Sequence, residues 1–169
     1  MRSAARRTRS APAIDILVES PLWRDEPDAA AVIRRAIGAA AEMTDTGADR
    51  ELAVMLCDDG AMCELNGRWR GRPEPTNVLS FPAAGGATLG DIAIAYETTA
   101  REAGAEGKPF PAHLAHLAVH GFLHLLGYDH QSDAEAAAME RLETAIMARL
   151  GVADPYAKDG TSAANPKFA

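Results

Sequence analysis

The segment from His120 to His130, HGFLHLLGYDH, places the strongest constraint on how this chain can fold. His120 and His124 are four residues apart, so on a helix both side chains point the same way. Two imidazole nitrogens at that spacing can reach one metal ion about 2 Å away. Gly127 predicts the end of the helix, because glycine readily adopts the left-handed conformation found at helix C-termini. The chain can then turn back and bring His130 under the first two histidines.

The pattern H-x3-H-x2-G-x2-H therefore predicts a metal site. Three histidines with an open fourth position are typical of catalytic rather than structural zinc. All five histidines of the chain lie between His113 and His130. Because eight residues of helix rise about 12 Å, one ion cannot be held by His116, His120 and His124 together. A buried amphipathic helix with incidental histidines is the alternative interpretation.

The long zinc-protease motif, H-E-x-x-H-x-x-G-x-x-H, has the same spacing but differs at one position. Where those enzymes carry a glutamate as general base, this chain has Gly121. Water must then be activated by the metal alone or by a base from elsewhere, so peptide hydrolysis is less favoured. Asp129 could orient a metal ligand or receive a proton, or it could be a surface acid at the end of a helix.

A second unusual stretch, LNGRWRGRPEPTNVLSFP, contains three arginines around Trp69 in a predicted loop. Such arginines can clamp phosphate oxygens, and a tryptophan beside them can stack on a base. Hydrolysis of a phosphodiester also needs positive charge where oxyanion charge develops. A solvated charged loop is the alternative. We expect Asn77 and Ser80 to be free to hydrogen-bond a ligand, and Asp91 to fix a neighbouring loop or a histidine. The three arginines are Arg68, Arg70 and Arg72.

The order of the predicted elements indicates an α+β fold: a single domain with about four strands in a mixed sheet and helices packed on it. The strands are expected at AIDILVE, ELAVMLC, TNVLSF and LGDIAIAY. Asp28 can cap a first long helix, Asp58 or Asp59 a short one, and Ser132 with Glu135 forms a capping-box pattern. We expect residues 1–12 to form a disordered basic tail, residues 13–153 the domain, and residues 154–169 a disordered tail.

Composition limits the functional classes. The net charge of −7 argues against a protein that binds nucleic acid over its whole surface, although it permits a local basic patch. Cys57 and Cys63 form no CxxC pair, which fits a reducing compartment and argues against a zinc-thiolate site. No apolar run reaches the length that a membrane span requires. The arginine-rich N-terminus could be an organellar transit segment, but a short basic tail is expected.

The segment HGFLHLLGYDH, preceded by LNGRWRGRPEPTNVLSFP and LGDIAIA, closely resembles the bacterial YbeY-type endoribonucleases, also called rRNA maturation factors. The similarity runs from about Ile14 to Val152. It implies that residues 13–153 form a small metal-dependent endoribonuclease domain. It also implies one zinc ion (Zn2+) held by His120, His124 and His130, and a functional arginine at the position of Arg70. The implied activity is cleavage of single-stranded RNA in 16S rRNA 3′-end maturation and ribosome quality control, in the cytoplasm.

The resemblance also implies partners. We expect the substrate to be a 16S rRNA precursor and the partner to be the ribosome or a ribosomal protein, with no membrane involved. Two alternatives stay open: a metalloprotease-like hydrolase, and a zinc-containing ribosome assembly factor that cuts no bond. In the second, a fourth protein ligand would close the site, and His116 could supply it if the helix bends. The candidate substrate-binding residues are Arg68, Arg72, Asn77, Ser80 and His116, and the candidates for supporting the metal ligands are Asp129 and Asp91.

Overall fold

Four stretches rich in aliphatic residues form the strands of a sheet. In the computed structural model of the protein, which describes residues 11–157, the strands are β1 (Ala13–Val18), β2 (Glu51–Cys57), β3 (Val78–Pro82) and β4 (Thr88–Ala95). Their order across the sheet is β1-β2-β4-β3. Strands β1, β2 and β4 run parallel, and β3 pairs antiparallel with β4. The predicted four-stranded mixed sheet is confirmed.

Helices connect and cover these strands. Because parallel strands cannot be joined by a tight turn, a helical crossover follows β1 and another follows β2. Within the described residues, none of the helices is long and apolar enough to cross a membrane. The helices are a short 3₁₀ helix (Pro21–Asp25), α1 (Ala29–Met43), α2 (Asp59–Arg70), α3 (Tyr96–Glu106), α4 (Phe110–Leu125) and α5 (Asp133–Arg149).

The predicted helix caps have mixed outcomes. Ser132 and Glu135 form the complete capping box at the start of α5. Of the two candidates for α2, Asp58 is the cap, and its carboxylate accepts a hydrogen bond from the Ala61 N–H (2.8 Å). Asp28 does occupy the N-cap position of α1, but its side chain makes no capping hydrogen bond. The prediction for Asp28 is therefore right about the position and wrong about the bond.

Helix α4 lies at the centre of the main core. It contacts β3 and β4 on the sheet and packs against α1, α3 and α5. Most of its side chains are consequently buried, including those of Leu117 and Phe122. A smaller apolar cluster covers the other face of the sheet beneath α2 and contains Met62 and Leu79. Histidines carried on α4 are thus fixed by packing on several sides.

The chain beyond α5 continues the fold for several residues. Pro155 is buried, and its carbonyl oxygen accepts a hydrogen bond from Lys108 Nζ (3.2 Å). The ring of Tyr156 packs edge-on against His116, with centroids 5.4 Å apart. The prediction of a disordered tail from residue 154 is therefore wrong for residues 154–157. Pro12, predicted in the N-terminal tail, is likewise buried; residues 1–10 and 158–169 lie outside the described residues.

Candidate metal centre

Helix α4 and the turn that follows it bring three histidines together. Gly127 has φ 96°, a conformation that strongly favours glycine, and it reverses the chain as predicted. One ring nitrogen from each of His120, His124 and His130 lies within 4.8 Å of the others. The Nε2 atoms of His120 and His124 are 2.9 Å apart. The three imidazoles therefore converge on a common point.

The chemistry of this cluster fits a zinc ion. Burial, followed by the neighbouring His120 and His130, lowers the pKa of His124 to about 4. Burial likewise lowers the pKa of His120. Both rings are therefore neutral near pH 7, and a metal requires neutral imidazole ligands. Nitrogens bound to one tetrahedral zinc ion are about 3.3 Å apart, so the observed spacing requires only a small adjustment.

The His120 ring is oriented from behind by Glu143 on α5. Nδ1 of His120 lies 2.5 Å from Oε1 of Glu143, whose side chain is 0% exposed. The other carboxylate oxygen accepts hydrogen bonds from His116 Nε2 (2.9 Å) and from the hydroxyl of Tyr156. Burial raises the pKa of Glu143, but the hydrogen bonds from His116 and His120 outweigh it and hold the pKa at about 2. Glu143 is therefore a buried carboxylate anion.

Glu143 and Tyr156 are absent from the sequence-based prediction. For Glu143 a signal does exist, because it lies four residues from both Met139 and Met147 on the buried stripe of α5. A glutamate in such a stripe needs a partner, since an unpaired buried charge is very costly. For Tyr156 the polar, proline-containing context gives no comparable signal.

His116 lies outside the three-histidine cluster. Its Nε2 faces Glu143, its side chain is almost fully buried, and α4 continues without interruption from Phe110 to Leu125. His116 is therefore buried against Glu143, and the prediction that it binds substrate gains no support from its position. The bend that would make His116 a fourth metal ligand is also not found.

Asn77 and Ser80 are engaged inside the protein rather than free. The Asn77 side chain donates to Glu102 Oε2 (3.0 Å), and its oxygen accepts from the Val78 N–H (2.7 Å). Ser80 Oγ donates to the carbonyl oxygen of Gly121 (2.9 Å). The expectation that the Asn77 side chain is free is therefore wrong, because it is buried and hydrogen-bonded. The Ser80 hydroxyl already donates its hydrogen bond to α4, and this bond connects β3 to the helix.

Two of the three predicted arginines lie on α2 rather than in a loop. Arg68 and Arg70 lie in the last turn of this helix, and Gly71 ends it with φ 69°. The predicted loop therefore begins only at Gly71 and contains Arg72. Arg70 Nη2 donates to the carbonyl oxygen of Ser80 (3.1 Å), and its guanidinium carbon lies 5.8 Å from the Phe81 ring centroid. Arg68 instead lines a surface groove beside α2.

Ser80 connects the arginine to the histidine helix. Its carbonyl accepts from Arg70, and its hydroxyl donates to Gly121, the residue after His120. Arg70 therefore reaches the strand that packs directly against the helix carrying the cluster.

The two aspartates predicted to support the ligands differ in their surroundings. Asp129 Oδ1 accepts a hydrogen bond from the backbone N–H of His130 (2.8 Å), so it shapes the turn that carries this histidine. Asp91 is exposed on β4, paired with Phe81 of β3. The predicted contact between Asp91 and a histidine is not found, and Glu143 makes that kind of contact instead.

Gly121 faces the sheet. A Cβ atom at this position would lie 3.0 Å from Ile92 Cγ2 and 3.2 Å from Ser80 Oγ. Where the zinc-protease motif has its general base, this chain therefore has a glycine that allows α4 to lie close to the sheet. Any side chain at this position would press on Ile92 and Ser80.

The fold and the site together define an α+β protein with a candidate three-histidine metal centre at the end of a helix. A family model described as endoribonuclease YbeY matches residues 19–151, and the chain belongs to this family. Endoribonuclease YbeY of Rhodopseudomonas palustris strain BisB18 is 60% identical over 156 residues, covering 86% of this chain and 93% of that protein. The corresponding protein of Bradyrhizobium sp. strain BTAi1 is 57% identical over 157 residues, with the same coverages. The solution structure of TM1509 from Thermotoga maritima is 24% identical, with a TM-score of 0.47, and covers 86% of this chain and 99% of that one.

Proposed function

We propose that the protein holds one zinc ion at His120, His124 and His130 and uses it to cut single-stranded RNA. Membership of the family makes the chain an endoribonuclease, a hydrolase of RNA phosphodiester bonds. The observation that carries the zinc dependence is the convergence of the three histidines, whose ring nitrogens lie within 4.8 Å of one another. The neutral state of His120 and His124 adds chemical support.

Each residue of the site has a role in this proposal. Bound zinc lowers the pKa of a coordinated water and polarises a phosphoryl oxygen. His120, His124 and His130 would hold the ion through one ring nitrogen each, and a water or the substrate could bind beside them. Arg70 would offset the negative charge that develops on the phosphoryl oxygens. Its hydrogen bond to the Ser80 carbonyl and its contact with Phe81 keep the guanidinium at the edge of β3.

An exposed tryptophan next to Arg70 supports an unpaired RNA substrate. The Trp69 side chain is 61% exposed and packs edge-on against Phe81, with ring centroids 6.2 Å apart. A base can stack on such an indole only when it is not already paired in a duplex. Arg68 and Arg72 flank the tryptophan in sequence and would contact the phosphates on either side.

We also propose a particular RNA and cellular setting. The substrate is a 16S rRNA precursor, whose 3′ end is matured as part of ribosome quality control in the cytoplasm. The resemblance to rRNA maturation factors supports this setting. The net charge of −7 supports a ribosomal partner, because a negatively charged chain repels free RNA over long distances.

The two alternatives receive less support. A protease of the related motif carries its glutamate base at the position of Gly121, where an added Cβ would press on Ile92 and Ser80. A zinc-containing assembly factor with a closed site requires a fourth ligand. Within residues 11–157, the candidate metal-binding group at the cluster contains three side chains, and His116 points to Glu143 instead.

Cleavage of single-stranded RNA by the purified protein tests the proposal. The wild type should cut the RNA, and a His120→Ala variant taken through the same purification should not. A duplex of the same sequence should be cut more slowly than the single strand. Equal cleavage by wild type and variant would indicate a contaminating nuclease and contradict the proposal. A wild type that binds zinc without cutting RNA would favour the assembly factor.

A further inference from the structure

We propose that Glu143 is a positioning residue for the metal centre, and that residues 154–157 hold the Glu143 carboxylate in place through Tyr156. The proposal rests on the proposed zinc site. It assigns a role in metal binding to a helix and a C-terminal segment that contribute no metal ligand. The chain following α5 is then part of the functional centre rather than a tail.

Three donors converge on the Glu143 carboxylate. His120 Nδ1 lies against Oε1, whereas His116 Nε2 and the Tyr156 hydroxyl both reach Oε2. An ionised carboxylate accepts only, and its two oxygens have lone pairs enough for all three bonds. The side chain is 0% exposed, so the protein itself provides this solvation. The donors come from α4 and from residues 154–157, which are far apart in sequence.

This arrangement selects one tautomer of His120. Because Glu143 accepts only, a neutral His120 must carry its proton on Nδ1, and Nε2 then keeps the lone pair. Nε2 is also the atom that lies 2.9 Å from His124 Nε2 within the cluster. Glu143 therefore orients the His120 ring so that the unprotonated Nε2 faces the other two histidines and can bind a metal. Carboxylates that orient ligating histidines in this way strengthen metal binding.

The other two donors hold the carboxylate in place. His116 and Tyr156 occupy Oε2, which leaves Oε1 directed at His120. Tyr156 is itself anchored by its neighbours: its N–H donates to Asp154 Oδ1 (2.9 Å), and the same oxygen accepts from Thr144 Oγ1 (3.2 Å). The carbonyl of Pro155 binds Lys108. These contacts tie the segment to α5 and to the loop before α4.

Zinc affinity, measured by competition with a chromophoric chelator, distinguishes positioning from a purely structural role. Glu143→Gln preserves the size of the side chain but leaves a single acceptor oxygen. We expect this variant to bind zinc about 10- to 100-fold more weakly than the wild type. Tyr156→Phe should weaken binding by a smaller factor. Glu140→Gln, an exposed change on the same helix, should leave the affinity unchanged and serves as the control.

A second measurement needs no metal. Nitrogen-15 NMR of the histidine rings in the metal-free wild type should show the His120 proton on Nδ1. In Glu143→Gln the amide cannot accept from both His116 and His120, so at least one ring should change tautomer or lose its hydrogen bond. A wild-type His120 protonated on Nε2 would overturn the inference. If Glu143→Gln does not fold, the wild-type spectrum and the zinc affinity of Tyr156→Phe decide.

The outcomes separate this inference from the proposed function. A folded Glu143→Gln variant that binds zinc as tightly as the wild type would overturn the inference. If the wild type also cuts RNA with zinc, the proposed function would still stand. Zinc binding that weakens in Glu143→Gln, together with no RNA cleavage by the wild type, would support the inference and overturn the function. If the wild type binds no zinc, both the proposed function and the inference fail.

Discussion

Arg70 differs from its neighbours Arg68 and Arg72 because its guanidinium is bound to β3, the strand that contacts the histidine helix. If Arg70 acts as proposed, replacing it with alanine should remove positive charge near the reacting phosphoryl group without disturbing the histidines. We expect Arg70→Ala to retain its zinc and to cut single-stranded RNA at least about 100-fold more slowly than the wild type. The measurements are metal content and cleavage rate, with Arg35→Ala on the exposed face of α1 as the control. A fully active Arg70→Ala would remove the arginine from the mechanism.

The two cysteines should differ in reactivity. Cys57 is fully buried and its thiol lies 3.5 Å from the Ile94 carbonyl, whereas Cys63 is partly exposed. Burial, followed by the nearby carboxylates of Glu19 and Asp58, raises the pKa of the Cys57 thiol to about 12. Since the thiolate is the reactive form, a thiol reagent at pH 8 should modify Cys63 alone in the native protein.

Counting modified thiols by mass spectrometry before and after denaturation checks this expectation. Cys63→Ser should abolish native modification, and Cys57→Ser should leave it unchanged. Two thiols that react equally fast in the native wild type would contradict the buried placement of Cys57.

Residues of the site differ in how far the sequence could predict them. His120, His124 and His130 lie within eleven residues, and helix periodicity with one glycine relates their positions. Glu143 lies on another helix, and its contact with His120 depends on how α5 packs against α4, which no local pattern specifies. Asn77 was wrongly expected to be free because its partner, Glu102, is also distant in sequence.

At the level of elements, the contact between α4 and the sheet limits the choice of side chain at Gly121. A methyl group there would meet Ile92 Cγ2 at 3.0 Å, and Ile92 is itself buried. We expect Gly121→Ala to lower the free energy of unfolding by about 1–3 kcal/mol through overpacking. Urea unfolding of the metal-free protein measures the change.

Gly104 provides a matched control for that substitution. It lies in α3, where an added Cβ would meet nothing within 4 Å. Gly104→Ala should therefore raise stability by about 0.4–1 kcal/mol, because alanine restricts the unfolded chain. If Gly121→Ala is as stable as Gly104→Ala, the close packing of α4 on the sheet is wrong.

The elements themselves follow largely from local patterns, and the errors have local causes. The strands show apolar runs bounded by turn residues, and Ser132 with Glu135 marks the start of α5. The arginine stretch was predicted as a loop, although the expected short helix reached Trp69. In the structure Gly67 lies within α2 against Pro73, where a Cβ would be 3.4 Å away, and the helix continues to Arg70.

At the scale of the whole molecule, the C-terminal boundary of the domain depends on one tyrosine. A chain ending at Ala157 retains Tyr156 and serves as the reference for thermal stability. A chain ending at Ala153 loses the Tyr156 hydroxyl, so Glu143 keeps two donors, and the melting temperature should fall by about 2–8 °C. Calorimetry of both metal-free chains measures the difference. Equal melting temperatures would contradict a structural role for residues 154–157.

Net charge and composition, which describe the whole molecule, predicted the function less directly than the local motifs did. The net charge of −7 gives no indication of an RNA substrate, because the arginines that would contact RNA are concentrated beside Trp69. Composition likewise suggested a tail from residue 154, since it cannot show that Tyr156 has a buried acceptor. The α+β architecture was predictable because the order of elements alone restricts how strands and helices can pack.

The central claim is that RNA cleavage depends on zinc held by the three histidines. The most direct measurement is to titrate zinc into chelator-treated protein while following cleavage of a single-stranded RNA. We predict no cleavage by the metal-free protein, and activity that rises with added zinc to a plateau at one ion per chain. His124→Ala should show no such recovery at the same zinc concentrations. Full activity in the metal-free protein, with its zinc content verified, would contradict the claim.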